Sequence, residues 1–129
     1  MEKEKLTQPS KRQKHYRYFP RFNLDILFSI IIPVYNSGQT LKKCLDSVFS
    51  NKFEKFEVIV ISDNSKDNSI DIAKNYNCKI IELKQNKGPA FARNTGANSA
   101  SGDILLFVDS DVIVKQDILM HVEKAFNNK

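Results

Sequence analysis

The chain has 129 residues, 41% of them apolar and 27% charged, which suits one globular domain with a buried core and not two. No apolar run approaches a membrane span, and charges and Pro9 interrupt the N-terminus where a secretory signal needs an apolar stretch. The net charge of +5 belongs to residues 1–21, with seven Lys or Arg and two acids; the rest of the chain is neutral.

Residues 1–27 read as a basic leader ahead of a domain over 28–129. Pro9 and Pro20 bracket a stretch from Lys11 to Phe19 in which basic and aromatic residues alternate without helical period. Such a stretch suits a flexible leader. It also suits contact with anionic lipid headgroups, which would place a cytoplasmic protein peripherally at the membrane. Nucleic-acid contact is the third option, and the neutral domain behind the leader argues against it. Cys44 and Cys78 have no metal or redox spacing and read as buried thiols, consistent with a reducing cytoplasm.

From Phe28 to Asn36 an apolar run predicts a buried strand that stops at Pro33, since proline donates nothing to a ladder. Ser37 is in place to cap the helix that follows, in which Leu41, Cys44, Leu45 and Val48 mark one face. A second strand, Phe56 to Ile61, ends in the turn formers Ser62-Asp63-Asn64-Ser65-Lys66-Asp67-Asn68-Ser69. A short helix from Ile70 and a third strand, Lys79 to Leu83, come next. Pro89 then opens a helix rich in small residues. Gly96 inside that helix costs about 1 kcal/mol against alanine, which close approach to the sheet or a ligand would offset.

The fourth strand, Ile104 to Val108, is an unbroken apolar run of the kind buried on both faces of a parallel sheet. It ends in Asp109-Ser110-Asp111, which suits either a turn or a divalent-cation site. A last helix, Gln116 to Phe126, has Ile118, Val122, Ala125 and Phe126 on its predicted inner face. Asp117 reads as its start, and Glu123 and His121 as outward positions. The β-α alternation predicts an α/β fold: a mostly parallel open sheet with helices on both faces.

At the carboxyl ends of such strands lie Pro33, Tyr35 and Asn36, then Asp63, then Asp109 and Asp111, with Lys87 and Arg93 flanking them. Three carboxylates and two cations suit an anionic ligand carried with a metal. Neither glycine-rich nucleotide fingerprint is present.

Four stretches resemble family 2 glycosyltransferases of the GT-A fold. They are Ile30–Asn36, Val60–Asp67, Asn86–Gly96 and the D-x-D motif Asp109-Ser110-Asp111, in that order. The resemblance implies a nucleotide-diphosphate sugar as donor, with the sugar passed to an acceptor in polysaccharide, glycolipid or glycoprotein synthesis. It implies that Asp63 and the backbone near Pro33 and Tyr35 meet the base, and that Asn36, Lys87 and Arg93 border the nucleotide sugar. Asp109 would lie near ribose and metal, and Asp111 would be the main ligand of Mn²⁺ or Mg²⁺. Ser62 departs from the family, which often has a first Asp there.

The resemblance covers the Rossmann-like nucleotide-binding half alone, so the expectation is a truncated domain that lacks the acceptor half. An inverting transfer needs a base to deprotonate the acceptor hydroxyl, and no residue of this chain is assigned as catalytic. A complementing C-terminal half would have to supply it, and the isolated chain would turn over weakly or not at all. Such a domain would also expose an apolar sheet edge and dissolve poorly alone. The competing readings are a non-catalytic nucleotide-binding or interaction module and a phosphoacceptor domain using Asp63. The latter lacks its usual acidic pair and late Lys.

Overall fold

The computed structural model describes residues 26–127; readings that fall on residues 1–25, most of the basic leader among them, lie outside the described residues. Four strands alternate with four helices: β1 Phe28–Val34, α1 Leu41–Phe49, β2 Phe56–Ser62, α2 Ser69–Ala73, β3 Lys79–Glu82, α3 Pro89–Asn98, β4 Ile104–Phe107 and α4 Ile118–Asn127. All strand pairs are parallel, in the order β3-β2-β1-β4. The chain runs outward from β1 to β3 and then crosses back to place β4 on the other side of β1. That reversal is the topological switch point of an open α/β sheet.

The alternation of strand residues sorts the core into two layers. Ile30, Ile32, Val34, Val58 and Val60 face α1, where they meet Leu41, Cys44, Leu45 and Val48, with Ala73 of α2 and Leu119 of α4 beside them. Ile31, Ile59 and Ile61 face the opposite way onto Ala92 of α3. A helix that advances the chain lies on one face and the helix that reverses it on the other, as right-handed crossovers require. Gly96 is buried where α3 crosses the sheet: a Cβ there would come within 2.5 Å of Ile61 Cδ1 and 2.6 Å of Ile31 Cγ2. The offset for its helix cost is close approach to the sheet.

Several expectations are corrected. β1 does not stop at Pro33 but runs to Val34, in register with β2 throughout. Val34 bonds toward β2, accepting the Asp63 N–H, so Pro33 turns its missing donor toward β4. The β4 ladder has already ended there, at Phe107 opposite Ile31. Nor is β4 buried on both faces. It is an edge strand, and Leu105 (39% exposed) and Phe107 (45%) lie open on the α3 face, because α3 covers β1 and β2 instead.

In α4 the buried face passes through Leu119 and Glu123, one turn apart, while Ala125 and Phe126 are exposed. Glu123, expected outside, is 1% exposed and accepts from Asn127 Nδ2. Finally, α1 begins after Thr40, so Ser37 is not its cap.

Candidate functional site

The carboxyl ends of β1, β2 and β4 and the start of α3 enclose a cleft of about 650 Å³. Pro33, Tyr35, Asn36, Asp63, Arg93, Asp109 and Asp111 all line it. Lys87 does not. Its ammonium lies over the Phe91 ring, 5.2 Å from the centroid, and its backbone N–H donates to Asp63 Oδ1. Ser37, Thr40, Asn86, Gly88, Pro89, Ala92 and Ser110 also line the cleft and were not singled out as site residues from the sequence. The switch-point rule was the available signal, since it nominates the whole loops after β1 and β4.

Asp63 is 4% exposed at the end of β2. Its Oδ1 accepts the Lys87 N–H at 2.7 Å and its Oδ2 the Gly88 N–H at 2.9 Å. The carboxylate therefore fastens the loop that leads into α3. Two ionised oxygens offer about four lone-pair sites, so acceptor capacity remains toward the cleft. Gly88 has φ +93, a backbone region that other residues rarely adopt.

Asn36 (φ 49) stands in the left-handed region that asparagine tolerates. Its N–H donates to Ser65 Oγ at 3.0 Å and its Oδ1 accepts the Lys66 N–H at 2.8 Å. The Asn36 side-chain oxygen thus ties the β1–α1 loop to the β2–α2 loop.

Asp109 and Asp111 are both exposed at the mouth. Arg93 Nη2 lies 3.2 Å from Asp109 Oδ1, linking α3 to the acidic turn. From below, Cys44 Sγ donates to the Asp109 carbonyl at 3.6 Å. Burial, and then the negative charges of Asp111 and Asp109, push the Cys44 thiol up to about 11, so it stays a protonated donor. Among the described residues, no group of three or more His, Cys, Asp or Glu side chains is placed to hold a metal. Two open carboxylates still fit a hard cation that takes its remaining ligands from phosphate and water.

Known proteins share this fold. The family model for glycosyl transferase family 2 matches residues 29–129. Glycosyltransferase GlyA of Streptococcus pneumoniae is 40% identical over 98 residues, 73% of this chain and 14% of that protein. The poly-beta-1,6-N-acetyl-D-glucosamine synthase of Staphylococcus aureus is 34% identical over 115 residues, 84% of this chain and 28% of that protein.

Among solved structures, S. aureus TarS 1–349 in complex with UDP-GlcNAc superposes with a TM-score of 0.74 at 35% identity, covering 78% of this chain and 31% of TarS 1–349. The mannosyltransferase PcManGT of Pyrobaculum calidifontis, solved with GDP-Man and Mn²⁺, gives 0.73 at 22% identity, covering 91% of this chain and 35% of that one; this likeness speaks to the fold alone. The chain spans less than a third of the length of GlyA, the synthase and TarS 1–349. By its family match and its sheet, it belongs to glycosyl transferase family 2 and has the GT-A fold.

Proposed function

We propose that the chain is the donor-binding part of a glycosyltransferase that moves a sugar from a nucleotide-diphosphate sugar to an acceptor in polysaccharide, glycolipid or glycoprotein synthesis. The observation that carries this reading is the convergence of Asp63, the Pro33–Asn36 backbone and the Asp109/Asp111 pair on one cleft at the switch point. TarS, solved in complex with UDP-GlcNAc, supports this reading.

Asp63 accepts from a ring N–H of the base with the lone pairs that Lys87 and Gly88 leave open. Asp109 would meet the ribose, Asp109 and Asp111 would hold a divalent cation, and Arg93 steadies Asp109 or turns to the nucleotide. Lys87 contributes its N–H to the positioning of Asp63, and Asn36 the loop geometry. When bound, Mn²⁺ or Mg²⁺ neutralises the departing diphosphate. In the transfer the acceptor hydroxyl oxygen bonds to the anomeric carbon, the bond from that carbon to the diphosphate breaks, and the hydroxyl proton passes to a base. We assign that base and the acceptor site to polypeptide beyond these residues. The exposed Leu105 and Phe107 on edge strand β4 favour docking of such a complementing half.

Among the described residues no helix is long and apolar enough to cross a membrane. The basic, aromatic residues 1–21 support peripheral contact with anionic lipid from the cytoplasm.

Calorimetric titration of the full chain with UDP and with GDP, each with and without Mn²⁺, tests the donor reading. Metal-dependent binding of one nucleotide is expected. Folded protein that takes neither would overturn it. Binding that survives Asp109→Ala with Asp111→Ala would favour a nucleotide-binding module without the metal chemistry.

A further inference from the structure

A chain of hydrogen bonds crosses three loops and ends inside the D-x-D turn. It starts at Asp67, an exposed residue of the β2–α2 loop. Asp67 Oδ2 accepts the Gly38 N–H at 2.9 Å, and its Oδ1 accepts the Ser69 N–H at 3.0 Å and the Ser69 hydroxyl at 2.5 Å. Ser69 is fully buried, and its Oγ in turn accepts the Ser37 N–H at 2.9 Å. Two successive amides of the β1–α1 loop are thereby held from the neighbouring loop.

The Ser37 side chain then faces the opposite way. Its Oγ lies 3.3 Å from the Tyr35 carbonyl and 2.7 Å from Ser110 Oγ. Since a carbonyl only accepts, the Ser37 proton goes to Tyr35 and the Ser110 hydroxyl donates to Ser37. Ser110 is the residue between the two carboxylates. Its hydroxyl is anchored to a loop that is itself anchored.

We propose that Ser37 is a positioning residue for the D-x-D turn. Its hydroxyl holds Ser110 and so sets the separation and direction of Asp109 and Asp111, while Asp67 and Ser69 hold Ser37. Any flanking loop would tolerate alanine at Ser37 if the hydroxyl merely filled space; here it carries a hydrogen bond between the Ser110 side chain and the β1–α1 loop. The consequence for binding rests on the nucleotide and metal reading above; the consequence for the turn does not.

The test uses the full chain with Ser37→Ala, Ser37→Thr, Ser110→Ala and the Ser37→Ala/Ser110→Ala double variant. Bound Mn²⁺ is followed by loss of the free ion's electron paramagnetic resonance signal in the presence of UDP, and metal-free UDP binding by calorimetry. Ser37→Ala should weaken metal-dependent binding about fivefold to tenfold, the scale of one hydrogen bond. The loss should be larger with metal than without it, Ser37→Thr should restore the wild-type value, and the double variant should be no weaker than either single one. Unchanged metal dependence in Ser37→Ala, or an equal loss with and without metal, would overturn the proposal.

Amide exchange separates this outcome from failure of the donor reading. The Val112 N–H, which closes the turn on the Asp109 carbonyl at 3.0 Å, should exchange faster in Ser37→Ala and in Ser110→Ala whether or not the wild type binds UDP. Wild-type exchange at Val112 in both variants would overturn the positioning role outright, even where nucleotide binding holds.

Discussion

Asp63 Oδ2 accepts the Gly88 N–H at 2.9 Å, and this joins the end of β2 to the first turn of α3 across the floor of the cleft. The same carboxylate takes the Lys87 N–H. One acid therefore shapes the loop and lines the site. Asp63→Ala strands both amides in a part-buried place, at a cost of about 1–3 kcal/mol for unsatisfied donors. For a domain of this size that lowers the melting temperature by roughly 4–8 °C per kcal/mol. Asp63→Asn retains one acceptor and should fall between. Thermal denaturation followed by circular dichroism measures this, and an unchanged Asp63→Ala melting point would refute the fastening role.

Gly96→Ala sets two effects against each other. Alanine is the better helix former by about 1 kcal/mol. Its methyl, however, would sit 2.5 Å from Ile61 Cδ1 and 2.6 Å from Ile31 Cγ2, and overpacking of a close-packed core costs about 1–3 kcal/mol. Packing should win, giving a net loss in urea denaturation. Asn94→Ala, exposed on the same helix, provides the contrast and should be neutral or stabilising. A Gly96→Ala protein as stable as the wild type would show that the sheet yields at this point.

What was legible in the sequence follows from which forces act locally. Leu41, Cys44, Leu45 and Val48 announce their helix and its buried face because one amphipathic period fixes both. The strand ends that form the cleft were legible because parallel topology brings them to one edge. The openness of β4 was not, since an apolar run reads the same in a central strand and at an edge. The place of the Lys87 side chain was not legible either, since its charge suggests a ligand whereas Phe91, one turn into α3, offers its ring to the ammonium. Ser37 fits the composition of a cap, yet its hydroxyl oxygen is bonded by a residue 73 positions away. Contacts of that range leave no local pattern.

The Asp46–Tyr76 pair makes stability pH-dependent at both extremes. Asp46 Oδ1 accepts the Tyr76 hydroxyl at 2.6 Å, and its Oδ2 accepts from Lys42 Nζ at 2.8 Å. The hydrogen bonds from Lys42 and Tyr76 hold the Asp46 carboxyl below its usual 3.8. Its contribution is therefore present above pH 3.8 and fades as pH falls through the lower folded value. Burial first, and then Asp46, push the Tyr76 phenol from 10.0 up to about 12. That contribution is present below pH 10 and fades between 10 and 12. Urea midpoints measured against pH should fall less steeply at both ends in Asp46→Asn than in the wild type. Both groups are solvent-accessible, so the difference should shrink in high salt. Parallel wild-type and variant profiles at low salt would remove the pair from the account.

The strand that carries the acidic turn is latched at its other end. Glu57 Oε2 accepts the Ser101 N–H at 2.6 Å and the Ser29 hydroxyl, and Ser29 Oγ accepts the Gly102 N–H at 2.8 Å. Gly102 approaches so closely that a Cβ would lie 2.7 Å from the Ser29 backbone nitrogen. Next to them Asp103 donates its N–H to the Leu27 carbonyl at 2.7 Å and accepts the Leu27 N–H at 3.0 Å. Among the described residues β4 has one pairing partner, β1, and these bonds fix where that pairing begins. Glu57→Ala leaves the Ser101 amide and the buried Ser29 hydroxyl without their acceptor, a loss of about 1–3 kcal/mol. The loss should be felt unevenly. β4 amides should exchange faster while β3, the opposite edge, keeps its protection, because its strand pairing is with β2 and, among the described residues, no hydrogen bond joins it to the latch. Hydrogen exchange resolved by strand measures the difference. Equal acceleration in β3 and β4 would mean that Glu57 supports the sheet as a whole and has no special hold on the strand leading to Asp109.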